Sequence, residues 1–180
     1  ITFTVSDSEL IITSGGVLTF VSAPDYETKT SYTATVTASD GTNKSTQDIT
    51  VNVTNANDNS PIFTSDAIFS AAENQTTIGT IAASDGDGDA LSYSVSGTDE
   101  SSMSINSSSG VLVFNSAPDY ETKSSYTATV AASDGTNTTE RGITVNVTNL
   151  NDNAPVFTSD AIFSAAENQI AIGTVTATDG

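Results

Sequence analysis

The stretch Gly142-Ile143-Thr144-Val145-Asn146-Val147 alternates polar with apolar residues, and so does Ser125-Tyr126-Thr127-Ala128-Thr129-Val130. Alternation of period two puts one set of side chains on one face of a pleated strand. Tyr126, Ala128 and Val130 are expected to point inward, facing Ile143, Val145 and Val147 from a neighbouring strand, with Thr and Asn on the solvated side. Shorter candidate strands are 67–71, 76–83, 91–96, 103–106 and 111–115. About seven short strands in roughly a hundred residues, divided by Ser, Gly, Asn and Asp turns and lacking helical periodicity, predict an all-β fold, a seven-stranded Greek-key β-sandwich. The Thr and Ser excess suits an exposed β surface.

Sliding the chain against itself by 94 residues shows that the pattern recurs. Ala23-Pro24-Asp25-Tyr26-Glu27-Thr28-Lys29 returns at 117–123, residues 31–36 return at 125–130, 49–55 at 143–149, and 64–75 at 158–169. The chain thus reads as the C-terminal part of one repeat (1–59), a complete repeat (60–153) and the N-terminal part of a third (154–180). A period this long is domain-sized rather than solenoid-like, so tandem beads are expected, each with its own core. The first residue is Ile1, and the sequence contains no apolar run long enough to span a bilayer and no leader-like segment, which reads as an excerpt or processed piece of something longer. Laid on residues 60–153, the two end pieces leave only positions 87–94 uncovered. The tail of one chain can therefore complete the head of the next by β-strand complementation, giving a head-to-tail filament. The plainer expectation is a cut through a continuous array.

Charge narrows the function. The chain has 22 acidic and 4 basic residues, a formal charge of -18, and neither Cys nor His. Disulfides, thiolate chemistry, the commonest general base and the usual zinc ligands are excluded. With Lys29, Lys44, Lys123 and Arg141 as the only cations, nucleic acid and anionic membrane are not expected partners. Carboxylate and amide oxygens favour hard cations such as calcium.

The acids gather in short clusters at strand ends: Asp25-Tyr26-Glu27, Asp40-Gly41, Asn55-Ala56-Asn57-Asp58-Asn59 before Pro61, and Asp85-Gly86-Asp87-Gly88-Asp89. Turn residues let such clusters aim several carboxylates at one centre, where they either splay into solvent or hold metal. Asp-Gly pairs alone are ordinary turn makers. Ala71-Ala72-Glu73-Asn74 resembles the Pro-Glu-Asn element of cadherin repeats, Pro118-Asp119-Tyr120-Glu121 their Leu-Asp-Arg-Glu, and Asn149-Leu150-Asn151-Asp152-Asn153-Ala154-Pro155-Val156-Phe157 their Asp-x-Asn-Asp-Asn-x-Pro-x-Phe. Residues 78–87 resemble the strand leading into that family's Asp-x-Asp turn, and Ala131-Ala132-Ser133-Asp134 its Ala-x-Asp element. The resemblance runs over essentially the whole chain, and the wording is closest to cadherin-like repeats of large microbial surface proteins.

The resemblance implies up to three calcium ions at each junction between repeats. At the first junction the implied ligands are Asp25, Glu27, Asn57, Asp58 and the carbonyls of Ala56 and Asn59, met by Asp85, Asp87, Asp134 and a carbonyl near Asp89 from the following repeat. At the second they are Glu73, Asp119, Glu121, Asn151, Asp152, the carbonyls of Leu150 and Asn153, and Asp179. Two departures stand out: Asn55 and Asn149 replace the family's leading linker Asp, and each junction lacks one family ligand within residues 1–180. Tyr26 and Tyr120 read as packing residues, Asp40 as a ligand of a junction upstream, and the Asn-x-Ser/Thr triplets, including the one at Asn137, as incidental. Paired carboxylates in a linker without an aromatic platform do not make a glycosidase, so no enzyme is expected. The implied role is an extracellular rod stiffened by calcium, acting in cell adhesion or as surface or matrix structure. The alternative is that the repeats themselves bind a partner, by homophilic protein contact or through a glycan receptor. The absence of Trp gives no support to strand-swapped adhesion of the vertebrate type.

Overall fold

The computed structural model describes residues 1–179. In the first repeat β1 (Thr2–Val5) pairs with β4 (Ser31–Ser39), which pairs with β5 (Lys44–Asn52), while β2 (Leu10–Ile12) and β3 (Leu18–Phe20) form a separate hairpin. The complete repeat adds β6 (Ile62–Phe63), β7 (Ile68–Ala72), β8 (Thr77–Thr80), β9 (Ala83–Ser84), β10 (Ser92–Ser96), β11 (Met103–Ile105), β12 (Val111–Phe114), β13 (Ser125–Ser133) and β14 (Thr138–Thr148). One sheet runs β10-β13-β14-β7 and the other β11-β12-β8, with β6 and β9 pairing at one end. The neighbours β7 and β14 are parallel although every other pair is antiparallel, because the connection from β7 crosses to the opposite sheet before the chain returns. This is the sandwich the alternation predicts. The structure adds a single turn of 3-10 helix at Glu100–Ser102 and splits the expected strand 76–83 into β8 and β9.

The core lies between the two sheets. Ala128, Val130, Ile143, Val145 and Val147 are buried as their period requires, and Tyr126 packs against them half-buried. The facing sheet contributes Ile78, Ile81, Met103, Leu112 and Phe114. Phe114 meets Tyr126 edge to face at 5.0 Å, and the Lys123 ammonium sits 4.6 Å above the same tyrosine ring while pairing with Asp99. Phe20, Tyr32 and Lys29 repeat the arrangement at 4.9 and 4.0 Å, with Glu9 as the acid. The recurring 23–29 and 117–123 motif thus places its lysine as a lid on the core aromatic pair. Gly110 is at φ +70°, and an added Cβ would lie 2.0 Å from the Ile81 carbonyl. Only glycine lets that turn hand its own carbonyl to the Ile81 amide, at 2.8 Å.

The end pieces keep the pairings whose partners they contain. Val5 pairs with Val36 as Val95 pairs with Val130, and Leu10 with Phe20 as Met103 with Phe114, so β1 stands 90 residues from β10 rather than 94, because the connection from β1 to β2 is shorter than that from β10 to β11. In the tail, β15 (Val156–Phe157) pairs with β16 (Ala177–Thr178) in the register of β6 with β9. Residues 162–166, identical to β7, form no strand. The consequence appears in burial: Leu112 and Val145 are fully enclosed, whereas their counterparts Leu18 and Val51 are only half-buried. Leu112→Ala is expected to cost about 2–5 kcal/mol in chemical denaturation and Leu18→Ala clearly less, since the cost follows the cavity left behind. Equal losses would contradict the difference in enclosure.

Candidate metal centre

Asp87 holds the first junction together. It lies in the turn after β9 and reaches back to the linker of the preceding repeat. Its Oδ2 accepts the amides of Asp58 and Asn59 at 3.0 and 2.8 Å, and its Oδ1 accepts Asn59 Nδ2 at 3.0 Å. Asn55 Nδ2 donates to the Asp87 carbonyl at 2.9 Å. Glu27, Asp58 and Asp87 bring carboxylate oxygens within 4.8 Å of one another, and so do Asp85, Asp87 and Asp89. The Asp85 Oδ1 caps its own turn, accepting the amides of Asp87 and Asp89, while Asp85 Oδ2 is buried without a hydrogen-bond partner. An unpartnered buried carboxylate oxygen is costly unless something positive faces it.

The charges are unequal. Hydrogen bonds from Asn59, side chain first and then backbone, hold the Asp87 carboxyl below the usual aspartate range. Burial, with Asp87 and Asp25 beside it, pushes the Glu27 carboxyl up. Asp25 is drawn down by the Thr28 hydroxyl and the turn amides it caps. At Asp134 desolvation acts upward, yet the amides of Asn137 and Thr136 together prevail and the carboxyl ends below its ordinary value.

Asn137 is the residue the sequence reading passed over. Its Nδ2 donates to Asn57 Oδ1 at 3.0 Å, to the Asn59 carbonyl at 3.2 Å and to Asp134 Oδ2 at 3.1 Å, so one amide ties the β13–β14 turn to the linker. The signal was present in the repeat: Asp40-Gly41-Thr42-Asn43 recurs as Asp134-Gly135-Thr136-Asn137, and Asn43 bonds Asp40 in the same way.

At the second junction Glu73, Glu121 and Asp152 converge within 4.8 Å. Glu73 is 2% exposed and accepts the amides of Tyr120 at 2.8 Å and Leu150 at 2.6 Å. Asn74, held at φ +63°, turns its amide onto Asp152. Asn149 donates to Glu121 at 3.1 Å, and Asn153 donates to Asp152 at 3.0 Å. Asp119 caps Thr122 beside Glu121. The carbonyls of Ala56 and Leu150 each accept the amide two residues on, at 3.0 and 2.9 Å. Asn151 and Asp179 are exposed, and among the described residues Asp179 belongs to no acidic group. Tyr120 serves this site through its backbone, its ring being exposed rather than packed.

Donors that are all oxygen, one of them buried and unpartnered, fit a hard divalent cation. The comparisons agree on the class. Residues 67–148 match the cadherin domain family model. The chain is 37% identical over 158 residues to human protocadherin Fat 1, covering 79% of this chain and 3% of that protein. It is 32% identical over 176 residues to the Drosophila melanogaster protocadherin-like wing polarity protein stan, covering 88% and 5%. Protocadherin gamma B2 extracellular cadherin domains 3-6 superpose with a TM-score of 0.83 at 26% identity, over 98% of this chain and 50% of that one. Mouse cadherin-23 EC22-24 gives 0.76 at 27%, over 99% and 64%.

Residues 67–148 form a cadherin domain, and the chain carries cadherin repeats of β-sandwich architecture. Cadherin domains bind calcium, and members of the family are adhesion proteins rather than enzymes. The chain spans 3% to 6% of the length of the first curated relatives it matches, which are animal proteins, whereas the sequence wording stood nearer to microbial surface repeats. Carbon-13 NMR in chelator should find Glu27 titrating above the ordinary glutamate range and Asp87 below the ordinary aspartate range. By linkage, the Asp87 contribution to stability is present above the unfolded aspartate value and lost as pH falls through the lower folded one, while the raised Glu27 works against the junction as pH rises through its own range. A reversed order of the two carboxyls would contradict the hydrogen-bond pattern.

Proposed function

We propose that the chain is a segment of an extracellular rod, divided into repeats at 59/60 and 153/154, whose junctions are stiffened by calcium. The observation that carries this reading is the first junction, where linker amides already grip Asp87 of the following repeat while Asp85 Oδ2 remains buried and unpartnered beside it. Glu27, Asp58, Asp85, Asp87, Asp89 and Asp134 would hold the cation there, with Asp25, Asn57 and the carbonyls of Ala56 and Asn59 completing its shell. Glu73, Asp119, Glu121, Asn151, Asp152, the carbonyls of Leu150 and Asn153, and Asp179 would do so at the second junction. Calcium supplies positive charge that neutralises the crowded carboxylates.

The protein's own contribution is positional. Asn59 and Asn137 fix the linker against the turns of the following repeat, so the carboxylates are presented together rather than gathered at a cost in chain entropy. Asn55 and Asn149 spend their amides on the Asp87 carbonyl and on Glu121. Each brings a donor where the family has an anion, which supports fewer than three ions per junction. Extracellular modules of this kind work at millimolar calcium. Projection of an adhesive surface or formation of matrix follows from a stiff array. A second reading, homophilic contact between repeats, is favoured by the protocadherin gammaB7 EC3-6 cis-dimer structure, 29% identical over 99% of this chain and 51% of that one.

Calorimetric titration should show saturable calcium binding, and thermal unfolding should shift upward with free calcium by mass action. Asp87→Asn is expected to weaken binding at the first junction by roughly 10- to 100-fold. Asn55→Asp and Asn149→Asp should add a ligand charge and strengthen it. Unfolding curves that coincide in calcium and in chelator would remove the metal reading.

A further inference from the structure

On the calcium reading proposed for the first junction, we infer that the side-chain amide of Asn137 competes with the cation for three oxygens there, so that this part of the junction fills last and only as Asn137 turns away. Asn137 Nδ2 stands where oxygens from two repeats converge. Asn57 Oδ1 lies 3.0 Å from it, the Asn59 carbonyl 3.2 Å and Asp134 Oδ2 3.1 Å. Asn57 Oδ1 and the Asn59 carbonyl accept from no other donor among the described residues. All three oxygens belong to the ligand set that the resemblance implies, and an NH2 group has only two hydrogens to divide among them. One nitrogen thus occupies the common focus of a carboxylate, a side-chain carbonyl and a backbone carbonyl, the oxygen types a hard cation takes.

The turn sets the pose of this amide. The Asn137 backbone N–H donates to Asp134 Oδ1 at 2.6 Å, and its carbonyl accepts the Asp134 amide at 3.2 Å and the Ser133 hydroxyl at 2.9 Å. In the first repeat Asn43 closes the same turn, and its Nδ2 donates to Asp40 Oδ2 at 3.3 Å. The amide is therefore aimed by its own turn, and the linker oxygens come to it. With the backbone of Asn137 held at three points, only its side-chain torsions need change to release them.

Charge sets the order of filling. Glu27, Asp58 and Asp87 bring three carboxylates together, and so do Asp85, Asp87 and Asp89. Asp134 belongs to neither group and is the only acid among the three oxygens that face Asn137. Affinity for a hard cation rises with the number of charged ligands, so the two carboxylate groups fill first. At the third set a cation must also replace the hydrogen bonds of Asn137, which lowers its affinity further. Asn137 thereby spreads the response of the junction over a wider range of free calcium than the carboxylates alone would give.

A calcium titration of the whole chain followed by nitrogen-15 NMR tests this. The Asp58 amide, which donates to Asp87, reports the carboxylate groups, while the Asn137 side-chain protons and the Asp134 amide report the third set. The Asn137 side-chain protons should move toward the shifts of a solvated amide, with a midpoint at higher free calcium than that of the Asp58 amide. Asn137→Ala should lower the midpoint of the Asp134 amide roughly 10-fold and leave that of Asp58 in place. A residue that only braced the linker would act in the opposite sense, its loss raising both midpoints, and that result overturns the inference. So do Asn137 protons in the unaltered chain that keep their shifts at saturating calcium or move together with Asp58, a measurement that decides the matter even if the variant fails to fold. A responsive Asp58 beside an indifferent Asn137 refutes the competition alone, whereas an Asp58 amide blind to calcium removes the calcium reading and this inference with it.

Discussion

Like charges crowded across a short linker are the constraint on which the rest of the structure turns. Glu27 and Asp58 of one repeat meet Asp87 of the next within 4.8 Å, in a chain with a formal charge of -18 and four cations. Such pairs repel one another, less than enclosed ones would because Glu27 and Asp58 face solvent. Backbone amides of Asp58 and Asn59 and the side-chain amide of Asn59 offset part of this by donating to Asp87, while Asn137 fixes the linker against the following sandwich through Asn57 and the Asn59 carbonyl. Amides can orient the carboxylates without neutralising them. The buried Asp85 Oδ2 shows where that compensation stops.

The sandwiches supply the rigid ends that such a junction needs. Turns between strands carry the clustered acidic side chains, and the strands behind them are closed by Val130, Val145 and Leu112, none of which is exposed. The turn after β13 is an example: Asp134 caps it, Gly135 adopts φ +95°, and Asn137 leaves it to reach the linker. A loop so tied to its own sheet cannot move toward the neighbouring repeat without carrying the sheet along. Bead orientation and junction geometry are therefore one variable.

Much of this was legible in the sequence. Alternation at 125–130 and 142–147 placed two strands and their inward faces, and the 94-residue recurrence matched 62–63 with 156–157 and 84 with 178, positions that share one register in β6 with β9 and β15 with β16. The acidic clusters pointed to Glu27, Asp58, Asp85, Asp87 and Asp89 at one junction, the resemblance to cadherin repeats pointed to Glu73, Glu121 and Asp152 at the other, and the carboxylates of each set lie in groups within 4.8 Å. Asn137 was not legible because an amide in an Asp-Gly-x-Asn turn looks like a local turn former, and its long-range bonds to Asn57 and Asn59 depend on where the next bead sits. The roles of Asn55 and Asn149 as donors were hidden for the same reason. Composition shows a missing negative charge at these positions and cannot show which acceptor the amide finds.

The most direct test is the orientation of one bead against the next. The chain has no Cys, so Thr46→Cys and Ser104→Cys place nitroxide labels on exposed positions of the first and second repeats and nowhere else. Pulsed electron-electron resonance should give a narrow distance distribution at millimolar calcium and a broad one in chelator. A distribution of the same width in both would contradict the claim that a cation between the repeats sets their relative orientation.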